Sequence, residues 1–158
     1  MGDRVYTGSM DNTALGTAVE DIFSLKSPAG KGAELHHMQL SAAAVTTAAE
    51  IRLRFKRGVG TLGGSTGGSA PTPQPTDPGD TQAAACTFHF GDTTQATATT
   101  FTVLLYFQWN VLLPFDYMPG PETSDREKID VSSILVLDLP ATIVAVTASG
   151  FMKWREYP

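Results

Sequence analysis

The sequence predicts an all-β domain: an antiparallel β-sandwich of jelly-roll type with one long Gly/Pro-rich arm. Three observations predict it. Short stretches alternate apolar and polar residues, as strands with one buried face require. Clusters of Gly, Pro, Asn and Asp separate them, and helical periodicity is almost absent. The chain, at 158 residues, is long enough for one domain with a genuine core. A single sandwich is therefore expected over residues 1–158, with an extended arm over residues 58–80 inserted between strands.

The elements follow in order. Arg4 to Ser9 reads as a first strand, with Gly8, Asp11 and Asn12 supplying a turn. Thr17 to Leu25 sets Ala18, Ile22 and Phe23 among Glu20 and Asp21, and Ser27 to Gly32 closes it with a strong turn signal. Glu34 to Leu40 is a strand of mixed polarity in which His36 and His37 should point to opposite faces. Ser41 to Glu50 reads as a loop with room for a helical turn, because its alanines favour helix and Val45, Thr46 and Thr47 do not. From Ile51 to Lys56, Ile51, Leu53 and Phe55 face inward and Arg52, Arg54 and Lys56 outward.

The arm follows, with Gly58, Gly60, Gly63, Gly64, Gly67 and Gly68 and then Pro71, Pro73, Pro75 and Pro78. Glycine confers flexibility and spaced prolines extended backbone. Ordering such backbone costs about 1–2 kcal/mol per residue. A loop with no core of its own cannot offset that, so a neighbouring subunit is the expected support. Ala84 to Phe90 resumes strand character, and Thr93 to Thr100 is a threonine-rich loop passing into strand. Phe101 to Trp109 is the clearest strand, with Phe101, Val103, Leu105, Phe107 and Trp109 expected on the core face. Breakers fill Asp116 to Pro121, and charges fill Glu122 to Lys128. Ile129 to Leu139, Ala141 to Ala148 and Phe151 to Tyr157, split at Pro140 and at Ser149-Gly150, complete eight or nine strands.

Composition narrows the function. Charged residues are 17% of the chain, below the usual quarter, so much of the surface must be Thr, Ser, Ala and Gly. A net charge of −5 argues against duplex DNA or an anionic membrane as the main partner. The longest apolar run, Thr102 to Phe115, is broken by Gln108, Asn110 and Pro114 and is too short to span a bilayer. Met1-Gly2-Asp3-Arg4 carries no basic n-region followed by an apolar h-region, so a secretory leader is not expected. Cys86 is the one cysteine, which leaves no internal disulfide or cysteine-rich zinc site, and beside Phe88 and Phe90 it reads as a buried thiol.

No nucleophile elbow, HExxH helix or Cys/His pair is present, no cofactor motif stands out, and Gly63 to Gly68 lacks the Lys-Ser/Thr of a phosphate loop. An enzyme is not expected. Arg52, Arg54, Lys56 and Arg57 are either a solvated strand face or cations that meet a partner's carboxylates. Trp109, Phe115, Trp154 and Tyr157 either pack in a core or subunit interface or offer stacking platforms for sugar.

One further observation concerns the arm. Arg54-x-x-Arg57-Gly58, a Gly-rich run, and Gly68-Ser69-Ala70-Pro71-Thr72-Pro73-Gln74-Pro75 with Asp77-Pro78 resemble a widespread group of small virion proteins of tailed bacteriophages, similar to head decoration (cement) proteins. In that group a basic residue often stands where this chain has Gln74, and a His where it has Val59. The resemblance implies a partner in the major capsid protein, self-association with a trimer favoured, and a place on the capsid exterior after synthesis in the host cytoplasm. The mechanism it implies is bridging of capsid subunits, not chemistry. The expected contact residues are the four cations together with Gly63, Gly64, Gly67 and Gly68 and then Pro71, Pro73, Gln74 and Pro75. Deleting Gly60 to Gly79 is expected to leave the domain folded and abolish particle binding. A tail or neck protein, or a glycan-binding module using Tyr117, Trp154 and Tyr157, are the other readings.

Overall fold

Eleven strands and no helix make up the described residues of the computed structural model, which are 4–16, 20–43, 45, 47–122, 126–141, 143 and 145–158. The expected segments at Thr17 to Leu25, Ser41 to Glu50, Glu122 to Lys128 and Ala141 to Ala148 lie partly outside them. The first four strands are β1 (Arg4–Leu15), β2 (Asp21–Lys26), β3 (Gly32–Ala43) and β4 (Glu50–Val59). Then come β5 (Gln74–Pro75), β6 (Thr87–Asp92), β7 (Thr100–Asn110) and β8 (Phe115–Tyr117). The last are β9 (Lys128–Ile129), β10 (Ile134–Asp138) and β11 (Val146–Tyr157).

They form two antiparallel sheets packed face to face. One has the order β5-β1-β11-β3-β8, with β9 also on β3, and the other the order β6-β2-β10-β4-β7. The connectivity is that of a jelly roll: β1 pairs with β11, β2 with β10, β3 with β8 and β4 with β7, four nested hairpins rolled into two layers. The innermost hairpin, β4/β7, is opened by residues 60–99. That excursion carries β5 to the edge beside β1 and β6 to the edge beside β2.

Between the layers lie Tyr6, Phe23, Phe55, Phe88, Trp109 and Trp154, all fully buried. The Phe88 ring stacks on Trp154 at 5.7 Å and meets Phe23 at 5.6 Å. Both indole N–H groups have acceptors, Leu113 O at 2.9 Å for Trp109 and Glu156 Oε1 at 3.2 Å for Trp154. Glu156 also accepts the Cys86 N–H at 2.9 Å, tying the return from the excursion to β11.

Several expectations change at bulges. β1 does not turn at Asp11 and Asn12 but bulges there, with two residues opposite one of β11 and Asn12 at φ 45°. Ser149 makes this tolerable by accepting the Asn12 N–H and donating to Asp11, both at 3.0 Å. β11 runs unbroken through Ser149-Gly150, where the Gln39 carbonyl would lie 2.2 Å from any Cβ at residue 150; glycine there permits close strand approach and does not end the strand. In β7, Phe55 faces Leu105 and Lys56 faces Val103, leaving Leu104 extra. The bulge splits the expected core face: Leu105, Phe107 and Trp109 face inward, whereas Phe101 packs with Ala96, Ile134 and Val136 on the outer side of the sheet.

Candidate functional site

The stretch Arg52 to Pro75 begins on β4, whose outward side chains lie in a row with those of four neighbouring strands. Asp92 is registered with Asp21, Asp21 with Asp138, Asp138 with Arg54, and Arg54 with Tyr106. All three aspartates are fully buried. Arg54 grips Asp138 with Nε to Oδ1 at 3.0 Å and Nη2 to Oδ2 at 2.6 Å, and Lys56 Nζ lies 2.6 Å from the same Oδ2. Lys56 is only 5% exposed and sits 4.5 Å over the Phe101 ring. The Asp138 hydrogen bonds push the Arg54 guanidinium pKa up.

Burial pushes Asp21 up to about 6; the Ala96 N–H and Lys56 oppose it, and the Asp138 and Asp92 charges add to it. Arg57 turns inward, donating to the Lys128 carbonyl at 3.3 Å. Arg54 and Lys56 thus lie on the outer side of the sheet as expected but are not free, and Arg57 is turned the other way; in all three cases this chain supplies the acceptor. Arg52 remains exposed, its guanidinium 4.4 Å over Tyr106.

The glycine run lies on the outer face of the same sheet. Gly63 pairs with Thr97, Thr66 with Thr94, and Ser69 with Phe90, so the outgoing and returning legs of the excursion form a loose antiparallel ladder. Ser65 is buried against Ser24 with 2.6 Å between hydroxyls, and the Gly68 N–H donates to Asp92 at 2.9 Å. At Gly68 a Cβ would stand 2.2 Å from the Phe90 carbonyl, and Gly67 has φ +92°. At Gly64 a Cβ would meet nothing within 4 Å.

Beyond Ala70 the chain runs along β1. Pro71, Pro73 and Pro75 are half-buried while Thr72, Gln74 and Thr76 face solvent. Gln74 and Pro75 are registered with Thr7 and Tyr6, the Thr76 N–H bonds to Val5 O at 2.9 Å, and Arg4 pairs with Asp80 at 3.1 Å. A neighbouring subunit is the support expected on entropic grounds; this segment's own domain supplies contacts along it as well. Nor would deletion of Gly60 to Gly79 be benign, because it removes Leu62 from above Ile134 and Val136 and strips β5 from β1.

A second cluster was not foreseen. The pairing of β3 with β11 shifts between Lys153 and Trp154, leaving His36 as an extra residue, so His36 and His37 line one cleft instead of opposite faces. Glu34 at its base is held by Arg126 at 2.7 Å, Arg155 at 2.9 Å and His36 at 3.0 Å. Burial pushes the Glu34 carboxyl up, but these partners outweigh it and hold the pKa below its ordinary value. Burial lowers His36. A one-residue bulge leaves no mark in sequence alternation. Among the described residues no group of three or more His, Cys, Asp or Glu is placed to hold a metal ion. Cys86 is buried, and burial pushes its thiol pKa up. Trp109, Trp154 and Phe115 are buried, so none offers a stacking face for sugar. No family model, no curated protein and no solved structure matches this chain.

Proposed function

We propose that the chain is a structural protein of a tailed-bacteriophage particle: a head decoration protein that binds the shell from outside and bridges its subunits. The observation that carries this reading is the surface presented by the excursion. Over the outer face of one sheet the exposed residues are Thr61, Thr66, Ser69, Thr93, Thr94, Thr97 and Thr99, with Gly64, Gly67 and Gly68 among them. The surface is uncharged in a chain of net charge −5, and its glycines let another backbone approach closely. Hydrogen bonds already fix it, so docking is spared most of the ordering cost that a free arm would incur. The same stretch carries the resemblance to phage virion proteins.

Gly64→Arg tests the docking face without disturbing the fold, since nothing lies within 4 Å of a Cβ there. The variant should unfold like wild type and bind particles lacking this protein at least about tenfold more weakly, ~1.4 kcal/mol. Undiminished binding refutes this face. Mass spectrometry of the parent particle supplies the other arm: a high, fixed ratio to the shell protein supports decoration, a few copies move the chain to the neck or tail, and absence removes the virion reading.

A further inference from the structure

The two sides of the sandwich are finished differently. On one side the excursion adds β5 outside β1 and β6 outside β2. On the other, β7 ends its sheet, and its second edge has no strand partner among the described residues. Thr100–Asn110 contains no charge, no Pro and no Gly, so it lacks the residues that keep an edge from pairing. The bulge at Leu104 leaves Leu105 to Asn110 as a regular run. The strand is also poorly covered. Trp109 is its one buried residue, and the inward-facing Leu105 and Phe107 are only half-buried. Val103 is 38% and Tyr106 55% exposed, and the turn that follows exposes Leu112 at 47% and Leu113 at 63%.

We propose that β7 is a homodimer seam, in which two copies of this chain pair β7 with β7, antiparallel across a two-fold axis, into one continuous sheet. Antiparallel self-pairing satisfies both free edges in one contact and closes on itself. Charge points to the same occupant. Copies of a chain with net charge −5 must meet where carboxylates are absent, and β7 carries none. The neighbouring cation, Arg52, rests on Tyr106 and leaves the edge clear. Size also fits: the regular run Leu105 to Asn110, six residues at ~3.4 Å each, spans ~20 Å. With a sandwich side roughly 20 Å across, the paired runs bury on the order of 800 Å², and the exposed Leu112 and Leu113 that follow bring the pair to about 1,000 Å², the lower end of specific interfaces. The arrangement is two-fold, not the trimer implied by the phage resemblance, and it concerns the isolated chain, so it stands or falls separately from the virion reading.

Light scattering on the full chain at ~100 μM should give twice its 16.8 kDa mass; a single-chain or three-chain mass overturns the proposal. The double variant Val103→Lys with Gln108→Lys changes two exposed side chains and should give the single-chain mass with an unchanged circular dichroism spectrum. Ser9→Lys, exposed on β1 of the other sheet, should remain dimeric. A dimer that survives the double variant places the seam elsewhere and refutes the proposal. Should the double variant misfold, hydrogen exchange on wild type decides: amides of Thr100–Asn110 must gain protection as concentration rises from ~1 to ~100 μM, and a concentration-independent pattern refutes the seam.

Discussion

Asp21→Asn should stabilise this protein at pH 8 and do so much less at pH 4.5. Asp21 is fully buried and shares its row with Asp92 and Asp138; Lys56 and Arg54 are the cations of the network, and His89 Nδ1 lies 3.6 Å from Asp92. Its pKa of about 6 in the folded state exceeds the ordinary 3.8. Below 3.8 both states hold the proton. Between the two values only the folded state does, so the group's contribution to stability declines as pH rises and is lost above about 6. A gap of roughly two pH units at about 1.4 kcal/mol each comes to about 3 kcal/mol. The amide stays neutral at every pH and keeps an oxygen for the Ala96 N–H, which bonds Asp21 at 2.7 Å. Urea unfolding of both proteins at pH 4.5 and pH 8 isolates the effect, because the other titrating groups are common to both. The variant should gain about 2–3 kcal/mol relative to wild type between the two pH values. A difference that does not change with pH would refute the assignment of Asp21 as a carboxylate held against its charge.

Two further outcomes test the packing. Lys56→Met should cost about 3 kcal/mol in chemical denaturation, since it takes a buried cation from Asp138. Arg52→Ala, at an exposed cation–π contact, should cost no more than about 1 kcal/mol, and the reverse ranking would refute the buried pairing of Lys56 with Asp138. Gly150→Ala should cost about 2–3 kcal/mol by forcing β11 off the Gln39 carbonyl, while Gly64→Ala, in open space, should be neutral or slightly stabilising. Equal losses at the two glycines would contradict the strand approach described for β11.

The sandwich was legible because its strands advertise themselves: β10 reads Ile-Leu-Val-Leu-Asp, and β4 alternates Ile51, Leu53 and Phe55 with cations. What local reading missed were side-chain partners distant in sequence. The alternation in β4 pointed Arg54 outward correctly, but nothing local reveals that Asp138, 84 residues on, would be waiting there. The glycine run looked like a free arm because its supports, Thr94, Thr97 and Asp92, belong to the returning leg. Bulges at Leu104 and His36 shifted side chains from one face to the other where strict alternation forbade it. Each is a register effect, fixed by pairing and not by propensity.

The opened inner hairpin has a consequence for how the molecule is made. Every one of the nine strand ladders joins a strand from β1–β4 to one from β5–β11; none lies within either group. The chain is two combs with interleaved teeth, and the excursion is the covalent link between them. A ribosome that has released only the first sixty residues has produced four strands with nothing to bind; one sheet is incomplete until β10 emerges and the other until β11 does. By the same token, a protease that nicks the exposed backbone at Gly64 severs the link without removing a single ladder, and the fragments 1–63 and 64–158 should stay together as a split protein.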